Sequence, residues 1–307
     1  MLVVEPLSGR SLVMSALEGD GLGLRCAQDL VDGVEGHMHG AVSSEVWQRQ
    51  KRPFVTLSWA QGLDGSMAHA SSSTTERLLL SGSESFAMTH GLRGVHDAIC
   101  VGRGTVSGDD PRLTVRLTAS GAPVDASATT PPTAVVVDGA LNTPPGCALL
   151  GQTASSGRRV VVATSGDATV VVAPGRSSRV DGFGWSAEKA SRAGALLVAG
   201  ATLLVTPPAE DGTIDLRVCL EALTSECGVR AVFVEGGANV VDAFLRAPHL
   251  VDEVVVTIAP VFVGGLRPLM SPLDGTRRLQ GVQTLALGSD VVIRGQLRQP
   301  EAYSSKA

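Results

Sequence analysis

Aromatic side chains are scarce in this 307-residue chain, with three Trp, one Tyr and six Phe, 3% in all. Val, Leu and Ala must therefore supply the core. Positive charge is also in deficit: the formal net charge is −5 and the pI about 5.7. That balance argues against nucleic acid or an anionic membrane as the main partner. It leaves room for a small anionic ligand, which needs only a few well-placed arginines. Cysteine is sparse and odd in number, with Cys26, Cys100, Cys147, Cys219 and Cys227 and no C-x-x-C pair. Cys100 and Cys219 lie among apolar neighbours and read as buried packing residues, and the set as a whole points to a reducing, cytoplasmic compartment. No apolar run reaches membrane-spanning length. The first residues lack the basic flank and apolar block of a secretory signal, and Glu5, Glu18 and Asp20 argue against an organellar presequence. Glu35, His37 and His39 have no second ligand pair at metal spacing, so no metal site is expected.

What is present is a globular composition, 44% hydrophobic and 18% charged, with 36 Gly and 16 Pro marking many turns. It suits one large domain or two small ones. Residues 22–46 hold one or two short helices, and Trp47 to Arg52 reads as an exposed approach to a fold that begins at Pro53. Short apolar runs then recur: Phe54–Trp59, Asp97–Val101, Ala134–Val137, Val160–Ala163, Val170–Val172, Leu203–Val205, Ala231–Val234, Glu253–Ala259 and Val291–Leu297. Each reads as a strand with both faces covered. Ser81-Gly82-Ser83-Glu84 is placed to cap a helix through Leu92 and Arg93, and Leu216–Cys227 is a second helix. Residues 119–133, rich in Ala, Ser, Thr and Pro, form a surface loop. Strands alternating with helices predict an α/β sheet. The last two runs have no helix between them and predict an antiparallel edge.

The stretch VRAVFVEGGANVVDA (residues 229–243) is the most informative. A buried strand ends in Glu235, Gly236-Gly237 follows, and Val240, Val241, Phe244 and Leu245 fall at helical spacing. Strand, glycine turn and helix let backbone N–H groups approach a phosphate. By itself the pattern reads equally as a tight turn with a solvated acid. Other polar residues sit just past the apolar runs, where open α/β sheets bind ligands: Asp64, Thr105, Asp109, Arg112, Arg116 and Asp138. Singly, each is an ordinary turn or surface residue. Jointly they suit a phosphorylated substrate beside a phosphorylated cofactor.

Three strings, RPFVTLSWAQGLDGSMA, LSGSESFAMTHGLRGVHDAICVGRGTVSGDDPRLTVRL and VFVEGGANVVDAFLRAPHLVDEVVVTIAPVFVGG, resemble the reductase of riboflavin biosynthesis. That family comprises the C-terminal domain of the bifunctional deaminase–reductase and its stand-alone archaeal and fungal relatives. The likeness runs from about Arg52 to Leu297. It implies a dihydrofolate-reductase-like three-layer α/β sandwich with a mostly parallel central sheet, usually a homodimer. It divides the chain into an N-terminal extension (1–50), a reductase domain (51–300) and a tail (301–307). It also implies NADPH-dependent reduction of a 5-phosphoribosylamino-pyrimidine to its ribitylamino form. Carried over by position, Arg93, Leu113, Arg116 and Glu235 fall where the family holds substrate, and Glu235 is the candidate for proton transfer. Thr105, Asp109, Gly139, Gly236, Gly237, Ala238, Asn239, Val240, Val241, Asp242 and Ala243 fall where it holds NADPH. Arg103 is a candidate partner for a 2′-phosphate.

The chain departs from the family pattern in three places. Ser58 replaces a Lys common in bacterial members, which favours the stand-alone subgroup or a changed substrate contact. The zinc-deaminase signature (H-x-E with P-C-x-x-C) is absent, so the N-terminal extension is not that catalytic domain. The loop Ser71–Arg77 matches poorly. Two alternatives stay open: the same fold and cofactor acting on another pteridine- or pyrimidine-like compound, or a non-catalytic NADP-binding scaffold partnering a deaminase.

Overall fold

The computed structural model describes residues 21–44, 51–69, 78–125, 130–174 and 183–297; the loop Ser71–Arg77, the tail and parts of the N-terminal extension lie outside them. In chain order the elements are α1 (Gly21–Val42), β1 (Phe54–Gly62), α2 (Ser83–Val95), β2 (Ala98–Gly102), α3 (Arg103–Asp109), β3 (Thr133–Val137), α4 (Ala148–Ser156), β4 (Val160–Ser165), β5 (Val170–Val172), α5 (Ala187–Val198), β6 (Thr202–Thr206), α6 (Leu216–Cys227), β7 (Ala231–Glu235), α7 (Ala238–Arg246), β8 (Glu253–Ala259), β9 (Leu279–Leu287) and β10 (Asp290–Leu297). The described strands form one sheet in the order β5-β6-β4-β3-β2-β7-β1-β8-β10-β9. From β6 to β8 every pairing is parallel. β10 and β9 add an antiparallel edge, as expected. β5 makes the opposite edge antiparallel too.

Parallel strands need both faces covered, which is why these runs are apolar throughout. Alternation assigns the faces. Val232 and Val234 pack with α6 and α7, whereas Phe233 packs with Met88 and Leu92 of α2 and with Leu30 and Val34 of α1. α4 and α5 cover β2, β3, β4 and β6 on that second face. The result is a three-layer sandwich. Cys100 and Cys219 are buried in its core, where loss of solvation raises both thiol pKa values, that of Cys219 to about 12.

The structure departs from the sequence reading at several points. The expected short helices of residues 22–46 are a single 22-residue helix, and it belongs to the same core as the sheet rather than standing outside a fold that begins at Pro53. Arg52 is not exposed. It is buried, and its guanidinium donates to Asp252 at 2.6 and 2.9 Å and to the carbonyls of Pro53 and His249. Helix α2 starts at Ser83, but no side chain caps it; instead the Gly82 N–H donates to Asp290 Oδ2 on β10 at 2.8 Å. Residues 103–109, where no helix was expected, form α3.

His96, buried at the C-terminal end of α2, donates from Nδ1 to the Leu92 carbonyl and accepts the Thr56 hydroxyl at Nε2, so the ring is neutral. Burial lowers its pKa from 6.5 to about 4. The folded state therefore resists protonation: the stabilisation is complete above pH 6.5 and is lost as pH falls to 4, on the order of 2–3 kcal/mol. Denaturant unfolding from pH 7 to pH 4 should show this fall, and His96→Gln should make it shallower.

Candidate active site at the ends of the central strands

The chain builds β2, β3, β4 and β6 outward in one direction, then returns to insert β7 between β2 and β1 and places β8 beyond β1. Reversals of this kind open a crevice at the carboxyl ends of the strands. The ends meeting here are Gly102 of β2 and Glu235 of β7, followed by Gly236 and Gly237. Close backbone approach explains the glycines. A Cβ on Gly102 would lie 2.7 Å from Val240, and one on Gly236 would lie 2.5 Å from the Val241 side chain. A Cβ on Gly237 would lie 2.8 Å from Thr105 Oγ1, so the starts of α3 and α7 face each other across the crevice. Gly237 is the N-cap of α7 and supplies no capping side chain, which leaves first-turn N–H groups for a ligand.

A cavity of about 890 Å³ opens beside these turns. Its walls include Gly102–Gly104, Asp138, Gly139, Asn239, Val240, Asp242 and Ala243, with a second wall from Asp211 to Arg217. The volume lies in the range of small-molecule and cofactor clefts. Asp138 is buried and accepts the Thr143 N–H and hydroxyl at 2.6 and 2.7 Å, which fixes the turn bearing Gly139. Asp242 pairs with Arg246 at 2.8 Å, and Asp215 caps α6. The sequence reading missed the wall at 211–217, because a polar turn ahead of a helix carries no mark of what it faces. Asp109, at the end of α3, is exposed and does not line this cavity.

The other candidate residues gather on the α2 face. Arg93 and Glu235 form a two-pronged ion pair, Nε to Oε1 and Nη2 to Oε2, the second at 2.6 Å. Their side chains are 13% and 18% exposed, enough burial to strengthen the pair above a surface bridge. Burial opposes the charge on Arg93, but the Glu235 carboxylate more than restores it, leaving the arginine pKa above its ordinary value. Arg93 Nη1 also donates to the Thr114 carbonyl at 3.1 Å. Arg116 sits close by: its backbone N–H donates to His90 Nδ1 at 3.0 Å, and its guanidinium lies over the Phe86 ring at 5.6 Å. Leu113 is buried, with a left-handed φ of 48°. Arg93 thus meets Glu235 at the end of β7, Thr105 faces Gly237 just beyond it, and Arg116 lies over Phe86 on α2. Phe86, His90 and Arg93 lie on one helical face at i, i+4 and i+7, the spacing by which Phe86 and His90 could have been found.

The profile of the RibD C-terminal domain matches residues 53–293. The chain belongs to this family, the reductase family of riboflavin biosynthesis. It is 29% identical over 274 residues to the 2,5-diamino-6-ribosylamino-4(3H)-pyrimidinone 5′-phosphate reductase of Eremothecium gossypii, covering 88% of this chain and 97% of that protein. The Methanothermobacter thermautotrophicus reductase of the same name is 34% identical over 250 residues, covering 79% and 97%. Among solved structures, the fold resembles the Saccharomyces cerevisiae riboflavin biosynthesis reductase Rib7, with a TM-score of 0.63 at 22% identity over 88% of this chain and all of that one. Acinetobacter baumannii RibD gives 0.60 at 22% identity, over 81% of this chain and 59% of RibD. In this RibD C-terminal domain protein, Ser58 of β1 is paired in register with Glu235 of β7, so a small hydroxyl stands beside the carboxylate's strand end.

If a nicotinamide dinucleotide is held at the start of α7, Gly237→Val should weaken its binding roughly tenfold or more, because a branched side chain enters the space between Gly237 and Thr105. Fluorescence titration checks the affinity, and an unshifted Tm checks that the fold survives.

Proposed function

We propose that this chain is an NADPH-dependent reductase converting a 5-phosphoribosylamino-pyrimidine to its ribitylamino form in riboflavin biosynthesis. The observation that carries the reading is a cavity beside the glycine turns that start α3 and α7, next to a strand end whose Glu235 is held by Arg93. We take the diaminopyrimidinone as the substrate, the compound for which the relatives are named.

The residues present fit the cofactor. The open turns at Gly236–Gly237 and Gly102–Gly104 admit a pyrophosphate against backbone, and the cavity beside Gly139 has the volume for a nucleoside. Thr105 and Ala238–Ala243 flank that approach, and Asp109 lies at the outer end of α3. Bound NADPH supplies the hydride that the open-chain form of the ribosylamine accepts at C1′. Arg116 supplies a cation for the substrate phosphate, with its guanidinium steadied by Phe86. Leu113 contributes an apolar contact. Glu235, oriented by both prongs of Arg93, accepts hydrogen bonds from the sugar and relays the proton that ring opening requires. Alignment and charge placement are thus the protein's main contributions.

Residues 51–300 are assigned to the reductase unit. A homodimer in the cytoplasm completes the proposal. It is supported by the exposed apolar side chains Phe262, Leu266, Leu269 and Met270 after β8 and by five unpaired cysteines.

The purified protein should oxidise NADPH when given the phosphoribosylamino-pyrimidine. Absence of turnover with both the deaminated and the diamino substrate overturns the reading. Arg116→Ala should raise KM for the phosphorylated substrate by roughly ten- to a hundredfold while circular dichroism and Tm stay unchanged.

A further inference from the structure

We propose that His90 and Arg158 are positioning residues, which clamp the irregular segment Arg112–Arg116 and so fix the arginine that meets the substrate phosphate. The proposal rests on the reading above in which Arg116 binds that phosphate.

Residues 110–116 belong to no helix or strand; apart from the Asp110 N–H, which donates to the Val106 carbonyl, and the Arg116 carbonyl, which accepts the Val124 N–H at 2.9 Å, their backbone groups need other partners. Side chains do much of this. The Arg112 carbonyl accepts from Arg158 Nη1 at 2.6 Å and from Gln152 Nε2 at 3.4 Å. The Thr114 carbonyl accepts from Arg93, and the Arg116 N–H donates to His90. Between the two clamps lies Leu113, whose positive φ is disfavoured for a branched residue and persists only where its surroundings over-determine it. Arg158 also donates from Nε to the Pro132 carbonyl at 2.8 Å, anchoring the segment to the lead-in of β3.

Both clamps are costly residues for their places. His90 is fully buried and Arg158 is 2% exposed. Each leaves one nitrogen, His90 Nε2 and Arg158 Nη2, without a partner among the described residues. Apolar residues of similar volume would remove that cost, so what these two hold, rather than core packing, accounts for their presence. Because His90 accepts at Nδ1, its proton sits on Nε2 and the ring is neutral. Burial, with Arg93 and Arg116 acting in the same sense, keeps its pKa near 4. Arg158 stays a cation although burial brings its pKa down to about 10. A neutral acceptor for the N–H at one end and a charged fork for the carbonyl at the other match what each backbone group requires.

The test is a double-mutant cycle in the full chain, read as kcat, KM for the phosphorylated substrate and Kd for NADPH. His90→Leu should raise KM roughly five- to tenfold, with kcat within twofold and NADPH affinity unchanged. His90→Asn, whose amide oxygen can take the place of Nδ1, should restore KM to within twofold of the parent. In an Arg116→Ala background His90→Leu should add nothing further. A merely structural role predicts the same added loss in both backgrounds, and that result overturns the proposal. If His90→Leu does not fold, Arg158→Lys, which keeps the charge and loses the fork, runs the same cycle with the same criteria. An impaired Arg116→Ala beside an unaffected His90→Leu or Arg158→Lys overturns the clamp alone. An unaffected Arg116→Ala overturns the phosphate reading and the clamp with it.

Discussion

The two-pronged contact between Arg93 and Glu235 ties together three parts of the molecule that share no hydrogen-bonded ladder. Glu235 ends the central strand β7, Arg93 rides on helix α2, and the third arm of the same guanidinium holds the Thr114 carbonyl of an irregular segment. Buried charges of this kind are expensive to assemble and more expensive to separate, because either partner alone would be left as an uncompensated ion. The contact therefore sets the height of α2 against the sheet. It also engages both oxygens of the carboxylate.

On the opposite face of β7 the constraint is steric rather than ionic. Gly102, Gly236 and Gly237 bring the starts of α3 and α7 within contact distance of each other, and side chains at these positions would force them apart. A parallel sheet covered on both faces suits this division of labour. Successive residues of one strand point to opposite layers, so Val234 packs toward α6 and α7 while Glu235 turns toward α2. The two sides of the strand end thus present different residues, a carboxylate on one and apolar packing with a glycine turn on the other.

Much of the fold was legible in the sequence, for a physical reason. Strands buried on both faces leave unbroken apolar runs, from which β1 to β4 and β6 to β8 were read; β5 and β10, more exposed, were read from their β-branched residues. β9 was not, because most of its residues are exposed and it carries no buried period. α3 was hidden by Gly104 and Gly108, which read as turn residues in so short a helix. Arg52 was mistaken for surface because its carboxylate partner, Asp252, lies 200 residues away. At the site, the residues themselves indicated only acids, arginines and glycines beyond strand ends, and left a tight turn as good a reading as a phosphate cradle. Family resemblance supplied the individual positions. Helical spacing from Arg93 marks His90 as a neighbour but not what it holds, and Arg158 carries no mark at all, since their bonds are to backbone groups whose position depends on the folded segment.

The first described helix and the last described strand are bound into one ionic knot. Glu253 of β8, 2% exposed, receives His37 of α1 at 2.5 Å and Arg294 of β10 at 2.9 Å. Arg294 reaches on to the Gly33 carbonyl, where any side chain at Gly33 would collide with the guanidinium. Fraying from either flank must therefore undo the same three side chains, so the two extremities of the described fold open together or stay shut together. A lesion in α1, far along the chain from every candidate ligand contact, would accordingly be felt first at the antiparallel border of the sheet.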